Sequence, residues 1–464
     1  MEQSRSAGGG TVTLPADRRI IRPTVSWSQA WTILACLWIV AASLLPDLST
    51  AGPFNLRPED IITIVMVALG TYELVARGRR PDTGVLKCIA LAAGALALIG
   101  AIGMTLSHLT GRPAPDSTFG HGLFVETLKE YARLAKYVLV ALAFGFVPSR
   151  AWKLVLATLA FCCSVLVGIQ LLQYAGFVSV TNWILVAYAK GDRIFLTSTL
   201  PRYKGFGWGW RSGSLLVNPN VLGSYLLAPL VLFTMSVFRP AGRRAWWGPI
   251  AWLGLTSLVW LGIYLSQSRT ALIAGLIASV FGLALAAMRT RLSLKSILLL
   301  AGPFVAVMIF GSLTLTTSPT RFNPRYIGHA LSTNWLAMKW LPTLSALSRY
   351  SPWHLLAGAG PALSGQMDSE LGYILVWYGL LGVLALIGLY LSLGRLIRHR
   401  AKDPYAGAAL LATIAASAVG SLAASYFLNN RIFPLYIALL SVACASSTPT
   451  AESSMVQGAD SEPA

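Results

Sequence analysis

Charge is scarce in this sequence. Only 11% of the 464 residues are Asp, Glu, Lys or Arg, against about 25% in a soluble domain, while 55% are hydrophobic. A water-soluble globular enzyme is excluded. Cysteine is also sparse: the five present (Cys36, Cys88, Cys162, Cys163 and Cys444) all fall inside apolar segments, so neither a disulfide framework nor a thiolate metal site follows. The histidines, His108, His121, His329, His354 and His399, show no i, i+4 pairing and no companion carboxylate or Cys cluster. No metal and no other cofactor is expected. The first 26 residues lack an apolar leader and a small-residue cleavage site, so the first apolar span is expected to act as the targeting signal. Also lacking are two matched halves with short or Gly/Pro-broken helices, the signature of many transporters.

What is abundant is long apolar runs. They form about a dozen blocks of roughly 16 to 26 residues, each long enough to cross a ~30 Å hydrocarbon core as a helix. The blocks begin near Ala30, Ile61, Leu86, Leu123, Trp152, Ser214, Trp246, Thr270, Ser296, Leu371, Tyr405 and Ile432. The expected fold is all-α, a polytopic membrane protein of about 12 transmembrane helices with two long extracytoplasmic loops carrying short interfacial helices. Residues 1–26 are expected to be a cytoplasmic tail, 27–447 the membrane domain, and 448–464, rich in Ser, Thr and acid, a disordered cytoplasmic tail.

The net charge of +19 would suggest nucleic acid on a soluble chain, but here the spans decide where charge can sit, and no nucleic-acid partner is expected. With twelve crossings, 20 of the 36 Lys and Arg fall in loops on the side of the termini, 13 on the other side and three on the fourth span. The positive-inside rule then places both termini in the cytoplasm. Nine of the 13 lie in two loops, 178–213 and 317–370. Lys190, Arg193, Arg202, Lys204 and Arg211 share the first; Arg321, Arg325, Lys339 and Arg349 share the second. Such charge on the translocated side suggests a bound anion, with Arg321, Arg325 and Arg349 as candidate substrate-binding residues; solvated attraction to lipid headgroups is the plainer reading. Trp335, Trp340 and Trp353 in the second loop suit headgroup-level helices in contact with membrane lipids.

Three constellations carry chemistry. Arg211-Ser-Gly213 precedes Asn218-Pro219-Asn220 at the start of the sixth span. As structure this is a helix start; as function it sets a guanidinium and two amides beside a helix N-terminus, which suits phosphate. Ser266-Gln-Ser268-Arg269-Thr270 joins two apolar spans through a very short loop. Arg269 either snorkels to headgroups or clamps a diphosphate bidentately. The third is Gly358-Ala-Gly360, then Asp368-Ser-Glu370-Leu-Gly372-Tyr373, then Gly379-Leu-Leu-Gly382. Asp368 and Glu370 either favour a helix N-terminus or act as a general base.

In order and spacing, over roughly residues 200–390, these motifs resemble the O-antigen ligase and polymerase superfamily, bacterial integral-membrane glycosyltransferases that use undecaprenyl-diphosphate-linked glycans. Ligases of that family carry a His followed by Asn where this chain has Asp368-Ser-Glu370. The departure favours a polymerase of exopolysaccharide, capsule or O-antigen over a ligase. The resemblance implies a metal-independent, inverting transfer from the lipid-linked donor to an acceptor glycan at the periplasmic face of the inner membrane. It implies Arg211 and Arg269 at the diphosphate, Asn218 and Asn220 at the substrate, and Asp368 or Glu370 at the attacking hydroxyl. A chain-length regulator or other assembly proteins are the partners it suggests.

The fourth span carries Glu126, Lys129, Glu130, Arg133 and Lys136 on an otherwise apolar helix. Spacings of three and four residues make these a salt-bridge-laced exterior extension, the expected reading, with a polar cavity inside the bundle as the alternative. A transporter or flippase for a lipid-linked or anionic solute is the reading from a different class; it requires ionisable residues deep in several spans and helices broken near the midplane.

Overall fold

A computed structural model describes residues 26–48, 56–110, 123–188, 212–238, 247–289, 302, 305, 309, 334–361, 369–422 and 426–445. Every element among them is helical. α1 (Trp27–Leu44) opens on a capping box between Ser26 and Gln29, which satisfies two of its free N–H groups. α2 (Pro58–Arg77) has Pro at its first turn with Glu59 and Asp60 and stops at left-handed Gly78. α3 (Thr83–Leu109) is capped by Asp82. α4 (Leu123–Phe144), α5 (Trp152–Tyr174) and the short α6 (Val178–Ala187) follow.

α7 (Pro219–Tyr225) and α8 (Leu227–Ser236) are nearly continuous; Pro229, which has no N–H to donate back to Tyr225, accounts for the step between them. α9 (Trp247–Ser266) and α10 (Arg269–Arg289) are separated only by Gln267 and Ser268. In the second long loop lie α11 (Asn334–Leu347) and α12 (Pro352–Ala357). α13 (Glu370–Arg400), α14 (Pro404–Gly420) and α15 (Ile432–Cys444) complete the chain.

Seven of these helical stretches are long and apolar enough to cross a membrane. α2 and α4 are interrupted by charge, and α14 and α15 are only 17 and 13 residues long. The block expected near Ser296 lies outside the described residues, as do the terminal tails 1–25 and 446–464. Large apolar side chains such as Ile33, Val75, Leu91, Val280 and Leu391 point outward and are exposed, a surface suited to lipid rather than water. The centre is formed by α8 and α15, buried along almost their whole length. Ala-rich α14 packs against α8 and α10; its Ala and Gly residues let the backbones approach closely.

The bundle has two unlike ends. At one, Arg77 stacks over Trp27 at 4.4 Å, Arg79 bonds Glu73 and the Phe146 carbonyl at 2.9 Å each, and Arg400 bonds Asp82 at 2.8 Å. The starts of α1 and α3 therefore meet the ends of α2, α4 and α13. At the other, Asp47 after α1 receives Arg57 at 3.1 Å and Arg431 at 2.8 Å, gathering the starts of α2 and α15. Lys136 joins the same network through Asp60 at 2.6 Å and Glu59 at 3.4 Å.

This overturns the expectation of a solvated extension on the fourth span. Glu130 is buried, and Arg133 and Lys136 are nearly so, each paired with a carboxylate inside the protein. A charge facing lipid at that depth would be costly, and α2 supplies the acids that let Lys136 turn inward.

Candidate functional site

The first two sequence motifs meet in space. Ser212 donates its backbone N–H to the Leu265 carbonyl at 3.3 Å, bringing the segment before α7 against the turn between α9 and α10. The segment is tightly wound: a Cβ on Gly213 would lie 2.0 Å from the Val217 carbonyl oxygen, and Ser214 and Val217 both have positive φ (49° and 64°). Such conformations cost about 1–3 kcal/mol each and persist where surrounding contacts impose them. Gln267, in the facing turn, is also left-handed at φ 52°.

α7 then rests directly on that turn. A Cβ on Gly223 would meet Ala271 Cβ at 2.6 Å and Ser268 Cβ at 3.0 Å, so glycine is required for the approach. Asn218 is extended, as a residue before proline prefers, and its Oδ1 caps the helix through Asn220 N–H at 2.9 Å. Asn218 and Asn220 are both exposed. Arg269 is partly buried at the first position of α10, and its Nε is buried without a hydrogen-bond partner among the described residues. A guanidinium N–H in that state is a donor available to an anion.

Two glutamines that the sequence reading passed over form the floor. Gln170 Nε2 donates to the carbonyls of Ser212 (3.3 Å) and Gly262 (3.2 Å), and Gln173 Oε1 accepts from Ser212 Oγ. Ser214 adds Oγ to Leu166 O at 2.8 Å. The signal was present: Gln170 and Gln173 are an i, i+3 pair on an otherwise apolar helix, so they share a face.

The third motif divides. Glu370 is fully buried, and its carboxylate accepts from Ser421 Oγ (2.8 Å), Tyr426 N–H (2.8 Å) and Leu428 N–H (2.7 Å). Its oxygens hold the connection between α14 and α15, and the residue is shut off from the surface. Ser369 caps α13 through Gly372 N–H at 3.2 Å and also bonds Ser421 O. Asp368 lies outside the described residues, as do Arg211, Arg321 and Arg325. Arg349 is exposed just after α11.

The glycines of the third motif serve the backbone. α13 is broken at Gly379 (φ 60°, ψ −160°), and the carbonyls freed before the break are taken by the loop: Ala359 N–H bonds Val376 O and Gly360 N–H bonds Trp377 O, both at 3.0 Å. Gly358 and Gly360 have φ of 74° and 89°, and a Cβ on Gly358 would sit 2.3 Å from the Trp377 carbonyl carbon. On the other side, Ser107 of α3 donates to Ala359 O at 3.0 Å. An irregular backbone at membrane depth is tolerated where protein satisfies it in this way.

α15 touches both regions. Tyr436 donates to Ser224 O of α7 at 3.2 Å, while the loop leading into α15 is the one gripped by Glu370. Compared with protein-family models and with curated proteins, the sequence matches none.

Proposed function

We propose that this chain is a membrane glycan polymerase, transferring an undecaprenyl-diphosphate-linked oligosaccharide or polysaccharide to an acceptor sugar hydroxyl at the outer face of a bacterial inner membrane. The observation that supports it most is the meeting of the Ser212–Asn220 segment with the Ser266–Thr270 turn around the Arg269 Nε, unpartnered among the described residues. That arrangement suits an anion with a planar face of oxygens, such as a diphosphate.

In this mechanism the acceptor hydroxyl attacks the anomeric carbon from the side opposite the diphosphate. A C–O bond forms to the acceptor and the anomeric carbon–phosphate oxygen bond breaks, inverting the centre. The electron pair leaves on undecaprenyl diphosphate, where Arg269 and Arg211 neutralise the developing charge, and the hydroxyl proton passes to Asp368. Glu370, with its oxygens engaged by the α14–α15 connection, takes no proton in this scheme; it is a structural acceptor.

One observation favours a second reading, transport of the same kind of solute: acids and bases occupy the bundle interior and α13 is broken. The position of the break argues for the enzyme. From Gly379 to Arg395, where the basic end of α13 starts, is about 24 Å of helix rise, so the break sits in the outer part of a ~30 Å core rather than at its middle. Purified protein in a lipid nanodisc, given a lipid-linked repeat unit, tests both. An enzyme lengthens the glycan; a transporter returns the donor unchanged.

A further inference from the structure

The buried charges of α4 are not used by the phosphate site, yet they belong to a closed circuit. Glu370 accepts from Tyr426 and Leu428 N–H; the Leu428 carbonyl accepts from Arg133 Nη1 at 2.6 Å; Arg133 pairs with Glu130; Glu130 Oε1 accepts from Tyr378 OH at 3.1 Å. From Tyr378 the circuit returns to Glu370 along α13 itself. Tyr137, one turn beyond Arg133, adds a hydrogen bond to the Phe427 carbonyl.

The segment so enclosed, 370–378, is cut off from the rest of α13 by the break at Gly379. A helix that short has no stability of its own in isolation, since about 12–15 residues are needed even for strong helix formers. Its direction therefore comes from its tethers. At the break it is held by the Gly358–Gly360 backbone, and along its length by the circuit. Buried charges that served only stability could be replaced by apolar packing without loss, and a hydrogen-bonded network of this kind acts as a unit, because opening one link leaves the others buried and unpaired.

We propose that Glu130, Arg133 and Tyr378 are positioning residues that fix the 370–378 half-helix and residues 426–428, ahead of α15, in one orientation against α4. They thereby hold Ser369 and Glu370, at which the half-helix begins, in place. The assignment to catalysis rests on the glycan-transfer reading; the mechanical coupling of the two segments does not.

The test uses full-length protein in nanodiscs carrying Arg133→Ala, Arg133→Lys or Tyr378→Phe. Amide hydrogen exchange over 370–378 and 426–428 and steady-state transfer from an undecaprenyl-diphosphate oligosaccharide are measured together. Arg133→Ala is expected to raise exchange in both segments, with α10 as the unchanged reference, and to lower kcat by about 10²-fold, the cost of a small misplacement of reacting groups, while KM stays close to that of the unaltered protein. Arg133→Lys recovers part of the loss, and Tyr378→Phe moves both readouts the same way by less.

Increased exchange in only one segment, or a rise in KM without a fall in kcat, overturns the proposal. Tyr378→Phe removes one hydroxyl and decides the matter if Arg133→Ala does not fold. If the unaltered protein transfers no glycan, the transfer reading fails, and exchange alone then judges the circuit: coupled opening supports it, independent opening refutes it.

Discussion

Arg269 and Glu370 show how differently two charged residues at helix starts can be employed. Arg269 keeps a buried N–H without a partner among the described residues, so Arg269→Ala should remove a donor to the leaving diphosphate and lower single-turnover transfer by about 10²–10³-fold, as loss of one preorganised charge-stabilising donor does. Arg269→Lys should restore part of that rate, because a point charge lacks the planar fork. Activity at the unaltered level in Arg269→Ala would reduce this residue to a membrane anchor. Glu370 has its oxygens committed to three donors. Glu370→Gln turns an acceptor into a donor facing N–H groups and should cost about 1–3 kcal/mol of stability, seen as an earlier melting transition in detergent. Asp368→Asn should leave melting unchanged and slow transfer by about 10²–10⁴-fold. From sequence, both acids were candidates, with Asp368 favoured over Glu370 for standing on the loop side of the helix start. What commits Glu370 to structure is a hydrogen-bonding loop more than fifty residues further on, which no local pattern encodes.

At the level of the element, α13 was legible as an apolar helix and illegible as a broken one. Its glycine pairs were visible in the sequence, but their meaning depends on a backbone from another element lying across them. Gly379 tolerates no side chain: its φ is 60°, and a Cβ would lie 2.4 Å from the Leu356 carbonyl oxygen. Gly388, nine residues on in the same helix, has nothing among the described residues within 4 Å of where a Cβ would stand. Gly379→Ala should therefore destabilise the protein by several kcal/mol, well beyond the ~1 kcal/mol that separates Gly from Ala in an ordinary helix. Gly388→Ala should be neutral or stabilising by up to about 1 kcal/mol. Thermal unfolding of the two variants side by side checks this, and equal melting temperatures would mean that the break is not imposed by the loop. The same long-range dependence explains α4. Charge spacing alone allowed an exterior extension, whereas the acids that bury Lys136 stand on α2 and the carbonyl that receives Arg133 stands beyond α14.

For the whole molecule, the loop charges set the expected orientation and the ion pairs mark the two ends of the bundle. The end that gathers Arg77, Arg79 and Arg400 is the end that loop charges assign to the cytoplasm. The end that gathers Asp47, Arg57 and Arg431 pairs these basic residues internally, which suits the translocated end of the proposed topology, where Lys and Arg cross at a cost. The starts of α13 and α15 share this second end, so the acid motif and the α14–α15 connection should both face the periplasm. Two exposed positions probe it without disturbing packing: Asn430, just before α15, and Lys402, between α13 and α14. In a background with the five native cysteines replaced, Asn430→Cys should react with a membrane-impermeant maleimide in intact cells. Lys402→Cys should react only after the membrane is opened. Labelling of Lys402→Cys in intact cells, with Asn430→Cys protected, would invert the molecule and place the Arg269 site on the side where nucleotide-activated sugars are available. Transfer from a lipid-linked donor at the outer face could not then be its reaction.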